Sequence, residues 1–403
     1  MQKKVMAWAL YDLANTAFTS PFRTIFWPLL ITSFLGGNEF QIGVAVALGV
    51  LAFSVLIPVI GSISDATKVR MPFIIIPSLL TMIVIAAIPF VGLWWNLALA
   101  AIAIVLYNIA LSIYNTLLPD IASNKDMGRV SGLGIGMGFF GTILSLIVAY
   151  GVLRFFATDT LETAMGVKAV FPALSIFFLI FSLPLFLLIK DAPARKHVIH
   201  IRKTFTGIIA TFTHIAELKG MVPFLIATLF FSNALAAIDV FFFLFAKKEI
   251  GVTLFTFMLI FMGQSVGATT GAFAFGRLTD RIGPKKVLQL GALLWIAVIA
   301  LFLASKNITV FWIAALLGSV AFGGVLASAR AFFVFLAPRH KMGEFFGYSQ
   351  ILGKLTGLFG PVLAGWLIVA SGYESALAMM LGLVVLAFVF LCFTPNVRKS
   401  RNS

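Results

Sequence analysis

Gly61-Ser-Ile-Ser-Asp65-Ala-Thr-Lys68-Val-Arg70 reads as the first copy of a short pattern. Gly276-Arg277-Leu-Thr-Asp280-Arg281-Ile-Gly283-Pro284-Lys285-Lys286 is the second, 215 residues later (276 less 61). Glycine and aspartate keep the same spacing in both. Each copy follows one long apolar run and precedes another. One such stretch is an ordinary polar turn in which Asp caps a helix or pairs with a base. Two copies, half of 403 residues apart, imply a chain built twice on one plan.

The surrounding runs set the solvent. The chain is 61% hydrophobic and 11% charged, with a mean hydropathy of +1.09. Soluble domains are about 45–50% apolar and about 25% charged. Helices apolar all round can face lipid, whereas 403 residues cannot enclose so much apolar surface in water. The runs fall near 5–34, 40–62, 71–93, 97–118, 130–153 and 169–189, then 222–246, 253–275, 286–303, 308–329, 345–370 and 375–393. Each is long enough to cross a hydrocarbon core of about 30 Å. The expected fold is all-α and integral to a membrane, with twelve transmembrane helices in two pseudo-symmetric six-helix bundles. Residues 1–189 form the first, 221–395 the second, 190–220 a basic linker and 396–403 a tail. The first run is longer and more polar than a signal peptide, so it is expected to remain as the first crossing.

Net charge is +15, yet no extended basic face forms, and nucleic acid is not expected as a partner. The bases fall in short connections, where they act as topology signals. Twenty-two Lys and Arg lie on the side of the termini and five on the other. The positive-inside rule then places both termini in the cytoplasm of a multi-pass inner-membrane protein. Within the linker, 204–216 could lie as an amphipathic helix on an anionic leaflet, but a solvated tether fits its pattern better. The lone cysteine, Cys392, allows neither an intrachain disulfide nor a cysteine metal site.

The paired stretches resemble the signature of the major facilitator superfamily, Gly-x-x-x-Asp-(Arg/Lys)-x-Gly-(Arg/Lys)-(Arg/Lys). The second copy departs mainly at Pro284. The first keeps Gly61, Asp65 and Arg70 but has Ala66, Lys68 and Val69 where a base, glycine and a base stand in the pattern. A narrower resemblance rests on Trp8-Ala-Leu-Tyr11-Asp12-Leu-Ala-Asn15, on Tyr114-Asn115-Thr-Leu-Leu-Pro119-Asp120, on Arg129-Val-Ser-Gly132-Leu-Gly134 and on Gly343-Glu344-Phe345-Phe346-Gly347-Tyr348. Together these look like the vacuole-effluxer-like branch of bacteria and fungi. That resemblance implies the major facilitator fold, amino-acid efflux for the fungal members, and a cytoplasmic gate at Gly61, Asp65, Arg70, Gly276, Asp280, Arg281 and Gly283.

Four ionisable residues fall inside expected crossings: Asp12, Arg23, Asp239 and Lys354. A charge at a helix centre costs about 2.5–3.5 kcal/mol on insertion scales, so each should face a cavity or a partner. Asp12, Asn15, Thr16, Thr19 and Arg23 recur every three or four residues and share one face. That face lines a cavity or glues helices together. By depth, Arg23 and Asp239 are expected to form an outer gate, and Asp12 and Lys354 to border the substrate site. Asn108, Asn115, Asn233 and Gln350 join the substrate site as cavity amides. Asp12, then Asp239, are the candidates for proton coupling, because burial and a moving cation shift a carboxyl in opposite senses. Asp12, Asn15 and Thr16 also offer oxygen to a sodium ion.

These features describe a secondary active transporter working by alternating access as a monomer among lipids. Its cargo is a small zwitterionic or anionic solute such as an amino acid, its driving ion a proton or sodium. No cofactor or metal is expected. An integral-membrane enzyme would need a convergent His/Asp/Glu cluster, which the sequence does not offer. An ATP-driven pump would need a phosphate-binding Gly-rich loop, also missing. A channel or receptor without gradient coupling is the remaining alternative.

Overall fold

The structure, a computed structural model, describes residues 2–122, 126–191, 220–336 and 358–395. The chain divides into two compact units, Met1–Phe205 and Thr206–Ser403. In the first unit α1 (Gln2–Pro21) continues through a π-helical turn, Phe22–Phe26, into α2 (Trp27–Phe34). Then come α3 (Glu39–Thr67), α4 (Met71–Ala87), α5 (Leu93–Asn115), the short α6 (Leu118–Ile121), α7 (Met127–Phe155) and α8 (Ala164–Leu188). In the second, α9 (Met221–Phe245) leads to α10 (Leu254–Ile282), α11 (Pro284–Ala304), α12 (Ile308–Leu336), α13 (Phe359–Ser371) and α14 (Tyr373–Cys392).

Local chemistry fixes these elements. Asn38 and Gln41 form a reciprocal capping box at the start of α3, with both bonds 3.0 Å. Thr163 and Thr253 cap α8 and α10. Pro21 has no N–H to donate to the preceding turn, and the π-helical turn follows directly after it.

Among the described residues ten helices are long and apolar enough to cross a membrane. Two further crossings were expected. One is the helical run from Gln2 to Phe34, which carries Lys3, Lys4, Asp12 and Arg23. The other is 345–370, of which only α13 is described. Several helices run past their expected ends. The signature stretches are helical through Thr67 and Ile282, leaving three connecting residues in the first copy and Gly283 alone in the second. At 29 residues each, α3 and α10 span about 43 Å, so their last polar turns can stand clear of a core of about 30 Å. Apolar periodicity ends where lipid ends, but a helix does not. The linker from 192 to 219, Gln350 and Lys354 lie outside the described residues.

Pairing follows one scheme in both units. In the first, α1 packs on α7 and α8, α3 on α5, and α4 on α5 and α8. In the second, α9 packs on α13 and α14, α10 on α12, and α11 on α12 and α14. The internal repeat therefore extends from the two short stretches to the packing order. Large apolar side chains such as Ile83, Phe90, Trp94 and Trp95 point outward, as lipid-facing groups do, and the paired tryptophans suit a membrane interface.

Candidate functional site

The polar stripe of α1 carries Asp12, Asn15, Thr16 and Thr19. Asp12 is half-buried and Asn15 is buried. Asp12 and Thr16 lie against α7, where Gly134 and Gly138 leave room for them. A Cβ at Gly134 would stand 2.8 Å from Asp12 Oδ2 and 2.5 Å from a Trp8 ring carbon. One at Gly138 would stand 2.8 Å from Thr16 Oγ1. Small residues here let a carboxylate and a hydroxyl sit between two close helices. Thr19 turns inward and donates to the Asn15 carbonyl at 2.8 Å.

Another face of α1 meets α5 through two side-chain rungs. At the lower one, Trp8 and Tyr114 stack at 4.8 Å with planes 10° apart. The Tyr114 hydroxyl donates to the Trp8 carbonyl at 2.8 Å, and Trp8 Nε1 donates to the Tyr114 carbonyl at 3.4 Å. Tyr11 packs on Tyr114 at 4.7 Å and shares a 2.7 Å hydrogen bond with Ser78. At the upper rung, Arg23 in the π-helical turn donates to the Tyr107 hydroxyl at 3.4 Å. Between the rungs, Asn15 Nδ2 and Asn108 Oδ1 are buried with no hydrogen-bond partner. Asn108 Nδ2 donates to the Ile104 carbonyl at 2.8 Å. A buried polar atom left unpaired costs about 1–3 kcal/mol, and Trp295 Nε1 in the second unit is a third such atom among the described residues.

The remaining amides divide. Asn115 is exposed at the end of α5. Asn233 is bonded at both ends of its amide: its Nδ2 donates to Leu229, and its Oδ1 accepts from Phe359 and Gly360 N–H at 3.1 and 2.7 Å. It thereby caps the first turn of α13. Asp239 is half-buried on α9.

Two further connections close one end of each unit. Arg70 donates to the Thr116 carbonyl at 2.8 Å and pairs with Asp120 on α6. Asp191, just past α8, accepts from the N–H of Arg70 at 2.8 Å and of Met71 at 3.0 Å. It caps α4 where that helix's own polar groups do not, and its charge suits the positive N-terminus. In the second unit Lys285 holds the place of Arg70 in the repeat. Its ammonium donates to the carbonyls of Cys392 at 2.9 Å and Thr394 at 2.5 Å, past the end of α14. Each unit thus ties the start of its third long helix to the end of its last. Gly61 and Gly276 lie inside helices, where an added Cβ meets no described atom within 4 Å. Gly283 has φ 88° and Lys68, its counterpart, φ 59°. Asp65 lies on α3, while Asp280 and Arg281 are exposed on the last turn of α10.

The sequence pattern of the family described as "Vacuole effluxer Atg22 like" matches residues 41–403. The chain belongs to this Atg22-like family. One relative, an uncharacterized MFS-type transporter YxiO of Bacillus subtilis, is 24% identical over 98% of this chain and 95% of its own length. Autophagy-related protein 22 of Vanderwaltozyma polyspora is 22% identical, over 59% of this chain and 50% of its own length. Among solved structures, a bacterial homolog of the human lysosomal transporter Spinster, inward-facing and unoccupied, gives a TM-score of 0.73. It is 14% identical, over 97% of this chain and 95% of that one. A variant of the nucleoside transporter NupG gives 0.74 at 16% identity, over 97% and 99%. These two show the fold. The Atg22-like chain is therefore a multi-pass membrane protein and a secondary transporter of the major facilitator superfamily, not an enzyme.

Of the residues that carry the narrower resemblance, several of the first unit come together, while those from Gly343 to Tyr348 lie outside the described residues. Trp8, Tyr11 and Tyr114 form the aromatic rung, Gly134 backs Trp8 and Asp12, and Asp120 holds Arg70. The capping carboxylate of Asp191 escaped sequence reading. Its one signal was an acid at the end of a basic connection, beside the last turn of a crossing.

Proposed function

We propose that this protein carries a small zwitterionic or anionic solute across the inner membrane by alternating access, coupled to protons through Asp12. Twelve crossings in two bundles of six, both termini cytoplasmic, complete the architecture. The observation that carries the reading is the seat of Asp12. It is an acid on a membrane helix, half-buried beside Trp8, in a space that Gly134 on α7 leaves open. An ionisable side chain on a membrane helix is a functional candidate, and helix movement that changes its surroundings would change its protonation. Asn15, Thr16, Thr19, Asn108, Asn115, Gln350 and Lys354 make up the working cavity around the solute, Asn233 serving instead to cap α13, and Asp239 is the second proton-coupling carboxylate.

Arg23 and Asp239 act as the outer gate. The connections that hold Arg70 to Asp120 and Lys285 to the end of α14 support an inner gate around Gly61, Asp65, Gly276, Asp280, Arg281 and Gly283. Reconstituted protein tests this directly. An imposed inward proton gradient is expected to drive accumulation of at least one amino acid or organic anion, and Asp12→Asn to abolish accumulation while solute exchange persists. Equal accumulation by wild type and variant would remove Asp12 from coupling. At the outer gate, single charge reversals at Arg23 and Asp239 are expected to stop transport and the double swap to restore part of it.

A further inference from the structure

We infer that the Arg23 guanidinium, held inward by Tyr107 as its positioning residue, receives the carboxylate of the transported solute. The inference rests on the transporter reading above and gives Arg23 a second partner beside Asp239. From Tyr11 to Ile31 every residue of the first helical run is buried except Asp12, Thr16, Thr19, Ser20 and Arg23. These five fall within about 100° of the helix circumference, and all are polar. A face turned to lipid would carry apolar side chains, so this one opens onto a polar space. Arg23 is its outermost member and its only cation. It also sits in the π-helical turn, a form that recurs at functional sites.

Tyr107 decides where that charge stands. Tyr107 and Tyr114 are seven residues apart and share one face of α5. The Tyr114 hydroxyl meets the Trp8 carbonyl and the Tyr107 hydroxyl meets Arg23, so α1 and α5 run antiparallel. The Tyr107 hydroxyl then stands about 10 Å farther out than that of Tyr114, close to the level of Asn15, seven residues past Trp8. Arg23 begins eight residues beyond Asn15, about 12 Å, and reaches back toward Thr19 to make its 3.4 Å contact. Helical side chains lean toward the N-terminus of their own helix. On antiparallel helices Arg23 therefore leans inward and Tyr107 outward, and the two meet. Tyr107 is only 7% exposed, so its ring is a fixed post that keeps the guanidinium over the open stripe. A guanidinium offers five N–H donors in a fork that fits a carboxylate. The Tyr107 hydroxyl accepts one of them and, being neutral, does not compete for the charge. Asp239 in the gate and the solute carboxylate are alternative partners for that fork.

Thermal unfolding of the purified full-length protein in detergent would be followed with L-leucine, L-lactate and succinate, each beside its carboxamide. At least one carboxylate is expected to raise the midpoint. Its amide, which keeps the shape and loses the negative charge, is expected not to. Tyr107→Phe keeps the ring and removes only the hydroxyl, and should weaken the active probe about threefold to tenfold. Arg23→Lys keeps a charge without the fork and should weaken it at least about tenfold. In liposomes Tyr107→Phe should raise KM for exchange of that carboxylate and leave kcat unchanged, a split that a general loosening of the fold would not produce. Tyr107→Phe alone carries the test if Arg23→Lys does not fold. No shift with any carboxylate, equal shifts by a carboxylate and its amide, or wild-type KM in Tyr107→Phe would overturn the assignment. Gradient-driven flux of a solute without an anionic group would also overturn it, yet leave the transporter reading standing. Absence of flux for every solute would sink that reading instead.

Discussion

Replacing Gly134 by alanine perturbs the seat of Asp12 with one methyl group. The new Cβ would lie 2.5 Å from Trp8 Cζ3, 2.8 Å from Asp12 Oδ2 and 3.0 Å from Trp8 Cη2. Comfortable carbon contacts need about 3.5–4.0 Å, so the helices must part by about 1 Å or the Trp8 ring must turn. Turning it breaks the stack on Tyr114 and strains the bonds that tie these two residues together. Overpacking of this kind costs about 1–3 kcal/mol. The same helix supplies its own control. A Cβ at Gly132 or Gly136 meets nothing within 4 Å, and alanine favours a helix over glycine by about 0.5–1 kcal/mol. Thermal unfolding in detergent should show Gly134→Ala destabilised and Gly132→Ala and Gly136→Ala unchanged or stabilised. Solute exchange in liposomes should fall in the first alone. Three indistinguishable variants would refute the packing of Asp12 and Trp8 on α7.

Lys68 has φ 59°, a left-handed conformation costing an L-residue about 1–2 kcal/mol. Allowing for the freedom glycine adds to the unfolded chain, Lys68→Gly should stabilise by about 0.5–1 kcal/mol, read as a higher unfolding midpoint. Asp191→Ala removes the cap of α4 and should destabilise by about 0.5–2 kcal/mol, with protease cutting at 68–71 as a second readout. At the opposite end of the second unit, Lys306 bonds Glu249 at 2.6 Å and Glu374 at 3.0 Å. Those bonds raise its pKa above the ordinary 10.5. Their contribution is therefore constant at neutral pH and is lost only as pH rises through that raised value. Amine labelling should find Lys306 still protected at pH 10.5, and Glu249→Gln together with Glu374→Gln should abolish that protection.

Much of this was legible in the residues. Apolar length fixed the membrane class, and the matched Gly and Asp of two stretches foretold a repeat that the packing order carries through both units. Helix ends were less legible because the last polar turns of α3 and α10 leave lipid without leaving the helix. Periodicity placed Asp12, Asn15, Thr16 and Thr19 on one face, but a face has width. Only the structure distinguishes Asp12 and Thr16, set against glycines of α7, from Asn15, whose amide nitrogen is buried without a hydrogen-bond partner. Asn233 shows the limit most plainly. An amide on a membrane helix can serve solute or backbone, and here both ends of the amide bond backbone groups. Asp191 was invisible because capping another helix at a distance of 121 residues leaves no local pattern.

The most direct test of the central claim follows protons rather than solute. Liposomes holding the protein and an entrapped pH dye would be challenged with amino acids and organic anions, with no gradient imposed and with sodium absent. Wild type should acidify or alkalinise the lumen when its solute is added, and Asp12→Asn should move the solute by exchange with no pH change. Solute movement by wild type without any proton movement, or an undiminished pH change in Asp12→Asn, would contradict the account.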